Sequence, residues 1–192
     1  MVVTITVPYA KGPGEDIGAI RFLESLEASF NLMDIPYYTI KGTSPRTMLD
    51  LSTSAARSTQ YTLELSSSLV VSNIHIDIQS YSNDSQRFID KESINSDIVF
   101  GILPTFTDIN FMERIAKLSE AFAYPQVREV DMEMNYASGL SEFIFDTPSI
   151  VIKVNEGSVD LFPALAEVVA EAVSREVSQR MQQDSLEEEL EV

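Results

Sequence analysis

The chain has 192 residues, 44% of them hydrophobic, and its 30 acidic against 13 basic side chains give a formal net charge of −17. That length and apolar content suit one globular domain with a real core, and the absence of cysteine excludes disulfides, thiolate nucleophiles and thiolate metal ligands. The acidic excess repels phosphate backbones and anionic lipid, so nucleic acid and membrane surfaces are set aside, and a basic protein surface or solubility alone remains as its use.

Val2–Val7 is β-branched and alternating, a buried first strand rather than a signal peptide, since it lacks a basic start and a long apolar run. No stretch reaches the roughly 20 apolar residues of a membrane span. These features do not fix the location, and an intracellular site and a virion site both stay open. Pro8–Gly14 is a loop by its Pro and Gly content. Glu15 and Asp16 open a helix with an apolar face of Ile17, Ile20, Leu23, Leu26, Phe30 and Met33. Pro36–Ile40 is a second strand, Gly42–Pro45 a turn, and Met48–Leu51 a short extended piece. A Ser- and Thr-rich helix is expected from Ala55 onward.

Asn73–Ser82 carries the only histidine. Ile74, Ile76 and Ile78 fall on one face of a strand, and His75, Asp77 and Gln79 on the other. Such a strand is either an edge strand with one wet face or the floor of a site, because ligands of open α/β sheets gather at the carboxyl ends of strands. Ser82–Ser96 reads as a loop. Asp97–Leu103 is a continuous apolar run, as in a strand buried on both faces. Thr107 is the expected N-cap of a helix whose face holds Ile109, Met112, Ile115, Ala116 and Phe122, stopped by Pro125. Val127–Met134 alternates like a strand near an edge. Gly139–Thr147 is expected to be a loop whose Phe143, Ile144 and Phe145 either form an apolar surface patch or tuck into the core. Ser149–Val154 is a strong strand, and Asp160 and Pro163 start a last helix. Its apolar stripe fails beyond Met181.

The alternation of strands and helices predicts an α/β fold, a three-layer sandwich with a mostly parallel or mixed central sheet and helices on both faces. The expected organisation is one domain over 1–181 and an acidic C-terminal tail over 182–192. No Walker loop or Gly-x-Ser-x-Gly elbow is present, and one histidine cannot supply a structural zinc site.

Four pieces then stand in order at strand ends: Val7-Pro8-Tyr9-Ala10, Asp50-Leu51-Ser52-Thr53 with Arg57 downstream, His75-Ile76-Asp77-Ile78-Gln79-Ser80, and Ile152-Lys153-Val154-Asn155. Their order resembles the N-formylglutamate amidohydrolase family, related in fold to the zinc carboxypeptidases, over about residues 3 to 175. The family's pieces are of the type Val-Pro-His-Ala followed by an acidic residue, Asp-Leu-Asn-Arg, His-Ile-Asp-Ile-His-Ser and Ile-Glu-Val-Asn. The resemblance implies a zinc ion held by the first-loop histidine, the acidic residue after it and the second histidine of the third strand, with the late glutamate as general base. Here those positions read Tyr9, Glu15 or Asp16, Gln79 and Lys153. A phenol titrating at about 10 is a poor zinc ligand, a neutral amide is a weak one, and an ammonium repels the cation and cannot take a proton.

The expected reading is thus a non-catalytic, degenerate relative of metal-dependent amidohydrolases. It has no metal or cofactor and acts as a structural or interaction module of a larger assembly such as a virus particle. Its degenerate pocket comprises Tyr9, Glu15, Asp16, Arg57, His75, Asp77, Gln79, Lys153 and Asn155, with Lys153 pairing with Asp77, Glu15 or Asp16. Two rivals stay open. One is an active hydrolase of peptide-like or N-acyl amino-acid substrates, with a metal on Glu15, Asp16, Asp77 and His75 and with Arg57 on the substrate carboxylate. The other is a protein that binds a small carboxylate through Arg57 and Lys153.

Overall fold

The computed structural model describes residues 2–11, 15–43, 59–81, 96–103, 109–130 and 135–190, with backbone alone for 177 and 179–190. The expectations for Gly12–Gly14, Met48–Leu51, Arg57, most of Ser82–Ser96 and the Thr107 cap lie outside those residues.

The strands are β1 (Val3–Lys11), β2 (Tyr37–Thr43), β3 (Ile74–Tyr81), β4 (Ile98–Ile102), β5 (Pro125–Glu129) and β6 (Ser149–Asn155). The helices are α1 (Ile17–Leu32), α2 (Gln60–Leu69), α3 (Ile109–Ser119), α4 (Tyr136–Ile144) and α5 (Phe162–Leu190), the last preceded by a 3-10 turn over Glu156–Leu161. One mixed sheet runs β2-β1-β3-β6-β4-β5. The strands β2, β1, β3 and β6 are parallel, and β4 meets β6 antiparallel while carrying β5 parallel at the far edge.

One face of this sheet is dry. Val3, Ile5 and Val7 of β1, Ile74, Ile76 and Ile78 of β3, and Ile150, Ile152 and Val154 of β6 stand on it and pack against α1, α3 and α5. The α1 sequence supplies Ala19, Phe22, Leu23, Leu26 and Phe30 at helical spacing, all fully buried. Ile17, expected on that stripe, is 54% exposed instead, and Phe22 takes its place, meeting Phe162 edge to face at 5.5 Å. The opposite face is covered by α2 and α4 around a smaller cluster of Ile40, Tyr61, Leu65, Leu69 and Ala137.

Three expectations need correction. Strand β3 is no edge strand: it lies between β1 and β6 with both faces buried, so its polar side is dry rather than wet. The supposed loop Gly139–Thr147 begins as the second half of α4, whose Ala137, Ser138, Gly139 and Ser141 are buried. Small side chains there let the helix approach the sheet closely, although Gly and Ser are weak helix formers. Helix α3 ends at Ser119, short of Tyr124, and Pro125 opens β5 rather than merely stopping a helix. Pro125 is acceptable because it begins an edge strand. The backbone of α5 remains helical to Leu190.

Candidate functional site

The polar side of β3 belongs to the α2/α4 face. Parallel register sets His75 opposite Ser149, Asp77 opposite Val151, Gln79 opposite Lys153 and Tyr81 opposite Asn155. On the other flank Thr4 pairs with His75 and Thr6 with Asp77. Strand β1 reaches the same side a second time, because its register shifts between Val7 and Lys11. Pro8 has no N–H for the ladder, and between Val7 and Lys11 the β1 strand advances four residues while β2 advances two, an irregularity that breaks the alternation. Tyr9 consequently joins Tyr136, Leu140 and Phe145 around the smaller cluster instead of following Val7 into the dry core.

A continuous hydrogen-bonded chain results. The Thr6 hydroxyl lies 2.9 Å from His75 Nε2 and donates to Asp77 Oδ1 at 2.5 Å. His75 Nδ1 lies 2.8 Å from the Ser149 hydroxyl. Gln79 Nε2 donates to Asp77 Oδ2 at 2.8 Å and to Asn135 Oδ1, at the N-terminus of α4, at 3.3 Å. Proton counting fixes the histidine. A threonine hydroxyl has one proton, so with Asp77 ionised it accepts from Nε2–H, and in the neutral ring that burial favours Nδ1 accepts from Ser149. The imidazole is neutral in that arrangement. Burial agrees: His75 is fully buried, and desolvation depresses its pKa to about 3.

The charged members pull in opposite directions. Burial raises the Asp77 carboxyl above its ordinary range; Thr6, Gln79 and the Lys153 ammonium act against this, while Asp16 adds to it. Burial lowers the Lys153 ammonium, and Asp77 only partly restores it. Of the three carboxylates expected to pair with Lys153, Asp77 is the one whose charge acts on it. Tyr61 of α2 stands close to the same group. Its buried hydroxyl makes no hydrogen bond of ordinary geometry, and burial next to Asp77 holds the phenol well above its usual value.

The remaining expected residues divide. Asp16 caps α1 by accepting at Oδ1 from Ala19 N at 2.8 Å and from the Ser80 hydroxyl, while its Oδ2 accepts from Ser80 N at 2.8 Å. Gly18 makes this docking feasible, since a Cβ there would sit 2.6 Å from the Ser80 side chain. Glu15 is exposed and outside the buried chain. Asn155 caps the 3-10 turn through Gly157 N at 2.9 Å and donates to Ser96 O at 3.1 Å, a carbonyl that also receives the Tyr81 hydroxyl. Arg57 lies outside the described residues. Thr6, Tyr61, Asn135 and Ser149 were missed as members. Only Thr6 left a trace in the sequence, as the second of two threonines alternating with the apolar residues of β1.

The sequence matches no protein-family model and no curated protein. Solved structures do match in three dimensions. N-formylglutamate amidohydrolase from Ralstonia eutropha shares 14% identity over 90% of this chain and 94% of that one, with a TM-score of 0.55. The fold is amidohydrolase-like. A metallo-carboxypeptidase from Burkholderia cenocepacia gives 13% identity, 91% and 57% coverage and a TM-score of 0.56. A gene product of Agrobacterium tumefaciens gives 12%, 93% and 89%, with a TM-score of 0.68. At such identities the likeness is one of fold, and the amidohydrolase-like sandwich places β1, β3 and β6 side by side as described.

Proposed function

We propose that this chain is a non-catalytic relative of the metal-dependent amidohydrolases, serving as a structural or interaction module in a larger assembly such as a virus particle. The observation that carries this reading is the way its candidate acidic ligands are engaged. Thr6 and Gln79 donate to the two oxygens of Asp77, and Ala19 and Ser80 to those of Asp16. Both ring nitrogens of His75 lie at hydrogen-bond distance from hydroxyls inside the protein. The buried Lys153 ammonium acts on Asp77. A zinc site wants deprotonated, accessible N or O donors with an open position for water, and this donor set fits poorly. No step is therefore routed through a metal.

The test is elemental analysis of purified protein, with its native mass measured alongside. Far less than one zinc per chain is expected, together with recovery inside a larger particle. Stoichiometric zinc that survives dialysis at neutral pH overturns the reading and favours the hydrolase.

A further inference from the structure

The outer surface of the α2/α4 layer differs from the rest of the molecule. Eleven large hydrophobic side chains are exposed among the described residues, and five of them, Leu63, Val70, Val71, Phe143 and Ile144, stand on α2, on α4 or just past the end of α2. The other six are spread over α1, β2, α3 and Tyr124. Single exposed apolar residues are ordinary, whereas their concentration on one layer is the pattern expected of a surface that another molecule covers. Across the sheet, α1 and α5 turn Arg21, Glu24, Glu167 and Arg175 outward.

The charge of the layer says what the cover is. Neither Thr59–Val71 nor Asn135–Thr147 contains a lysine or arginine, while Glu64 and Asp146 are exposed beside the apolar side chains. A second copy would bring these carboxylates against their equivalents and a second body of charge −17 with them. A segment with an apolar stripe bordered by Lys or Arg meets both features. We infer that the outer face of α2 and α4 docks a basic amphipathic segment of a partner protein, with Leu63, Phe143 and Ile144 as the apolar anchors and Glu64 and Asp146 as charge contacts at the rim. This rests on the reading of the chain as an interaction module and specifies the surface and the chemistry of what it meets.

The test uses the full chain and two synthetic helical peptides with the same leucine positions, one with lysine and one with glutamate elsewhere. Fluorescence anisotropy should show the Leu/Lys peptide binding, at least about tenfold more weakly to the double variant Leu63→Ser, Ile144→Ser, and the Leu/Glu peptide not binding. The exposed Leu32→Ser on α1 controls for general attraction to an acidic protein and should leave the affinity unchanged. Unaltered melting of the double variant shows that the fold persists. Equal affinity for wild type and double variant overturns the inference, and so does sedimentation showing a concentration-dependent dimer that the double variant abolishes. Stoichiometric zinc would sink the pseudoenzyme reading without touching these affinities, so the two failures are distinguishable.

Discussion

The two faces of the central sheet are made by the same strands and obey different physics. Toward α1 and α5, Ile5, Ile76 and Ile152 meet leucines and phenylalanines, and volume and shape decide the fit. Toward α2 and α4, Thr6, Asp77 and Lys153 come from those same strands and meet donors and acceptors, where a buried group left without a partner is costly. One face tolerates apolar exchange of similar volume. The other ties its members into one chain, and a single loss strands the neighbours.

The strongest way to break the contrast is acid. A histidine held at about 3 in the fold but near 6.5 when unfolded contributes stability that is complete above the unfolded value and is lost as pH falls toward the folded one. The gross effect is on the order of 5 kcal/mol by pH 3. Asp77 works the other way: its raised carboxyl contributes most at low pH and loses that contribution as pH rises through its folded pKa, so it offsets part of the acid loss. Urea midpoints between pH 7 and 3 should fall steeply for wild type and much less for His75→Gln; an unchanged slope would assign the acid sensitivity elsewhere.

Next comes the dry face, where Phe22→Ala should cost about 4 kcal/mol in chemical denaturation by opening a cavity beside Phe162. A cost under about 1 kcal/mol would mean that the core collapses onto the gap. Two adjacent residues of β1 set the faces directly against each other. Thr6→Val keeps shape but removes a donor to Asp77 and the partner of His75, for about 2–3 kcal/mol. Ile5→Val, one position away on the dry side, should cost only about 1 kcal/mol. Equal losses in the two variants would remove the distinction between the faces.

The smallest expected effect is Lys153→Met. The depressed ammonium means that burial outweighs the attraction of Asp77, so at neutral pH the charge is a net cost. A depressed lysine contributes stability above its unfolded pKa of 10.5, lost as pH falls through its folded value. Thermal melts at pH 7 should therefore show Lys153→Met within about 1 kcal/mol of wild type, because relief of the buried ammonium is offset by the Asp77 charge left without it, with the difference shrinking toward pH 10. A larger destabilisation at pH 7 would show the Asp77–Lys153 attraction to be dominant.

What the sequence disclosed follows the same division. The dry face was legible, because period-two strands and the Leu23, Leu26, Phe30 stripe announce burial directly. Alternation also put His75, Asp77 and Gln79 on one face, but it could not say whether that face met water or a helix. The helix that covers it, α4, is written in Ser, Gly and aromatic residues that suggest a loop. Thr6 and Ser149 were hidden because their partner His75 lies 69 and 74 residues away, and pairing across a parallel sheet leaves no local mark. The place of β4 against β6 was hidden by distance too, since α3, β5 and α4 separate the two antiparallel strands along the chain.

That last strand has a consequence for how the chain is made. Strand β6, near the C-terminal end of the folded body, is the keystone between β3 and β4. Until it emerges from the ribosome, β3 and β4 each present an open hydrogen-bonding edge, one of them lined with isoleucine, at the centre of the future sheet. A nascent chain stalled before Ser149 is accordingly expected to be a sticky intermediate rather than a smaller domain, with two central edges still unpaired.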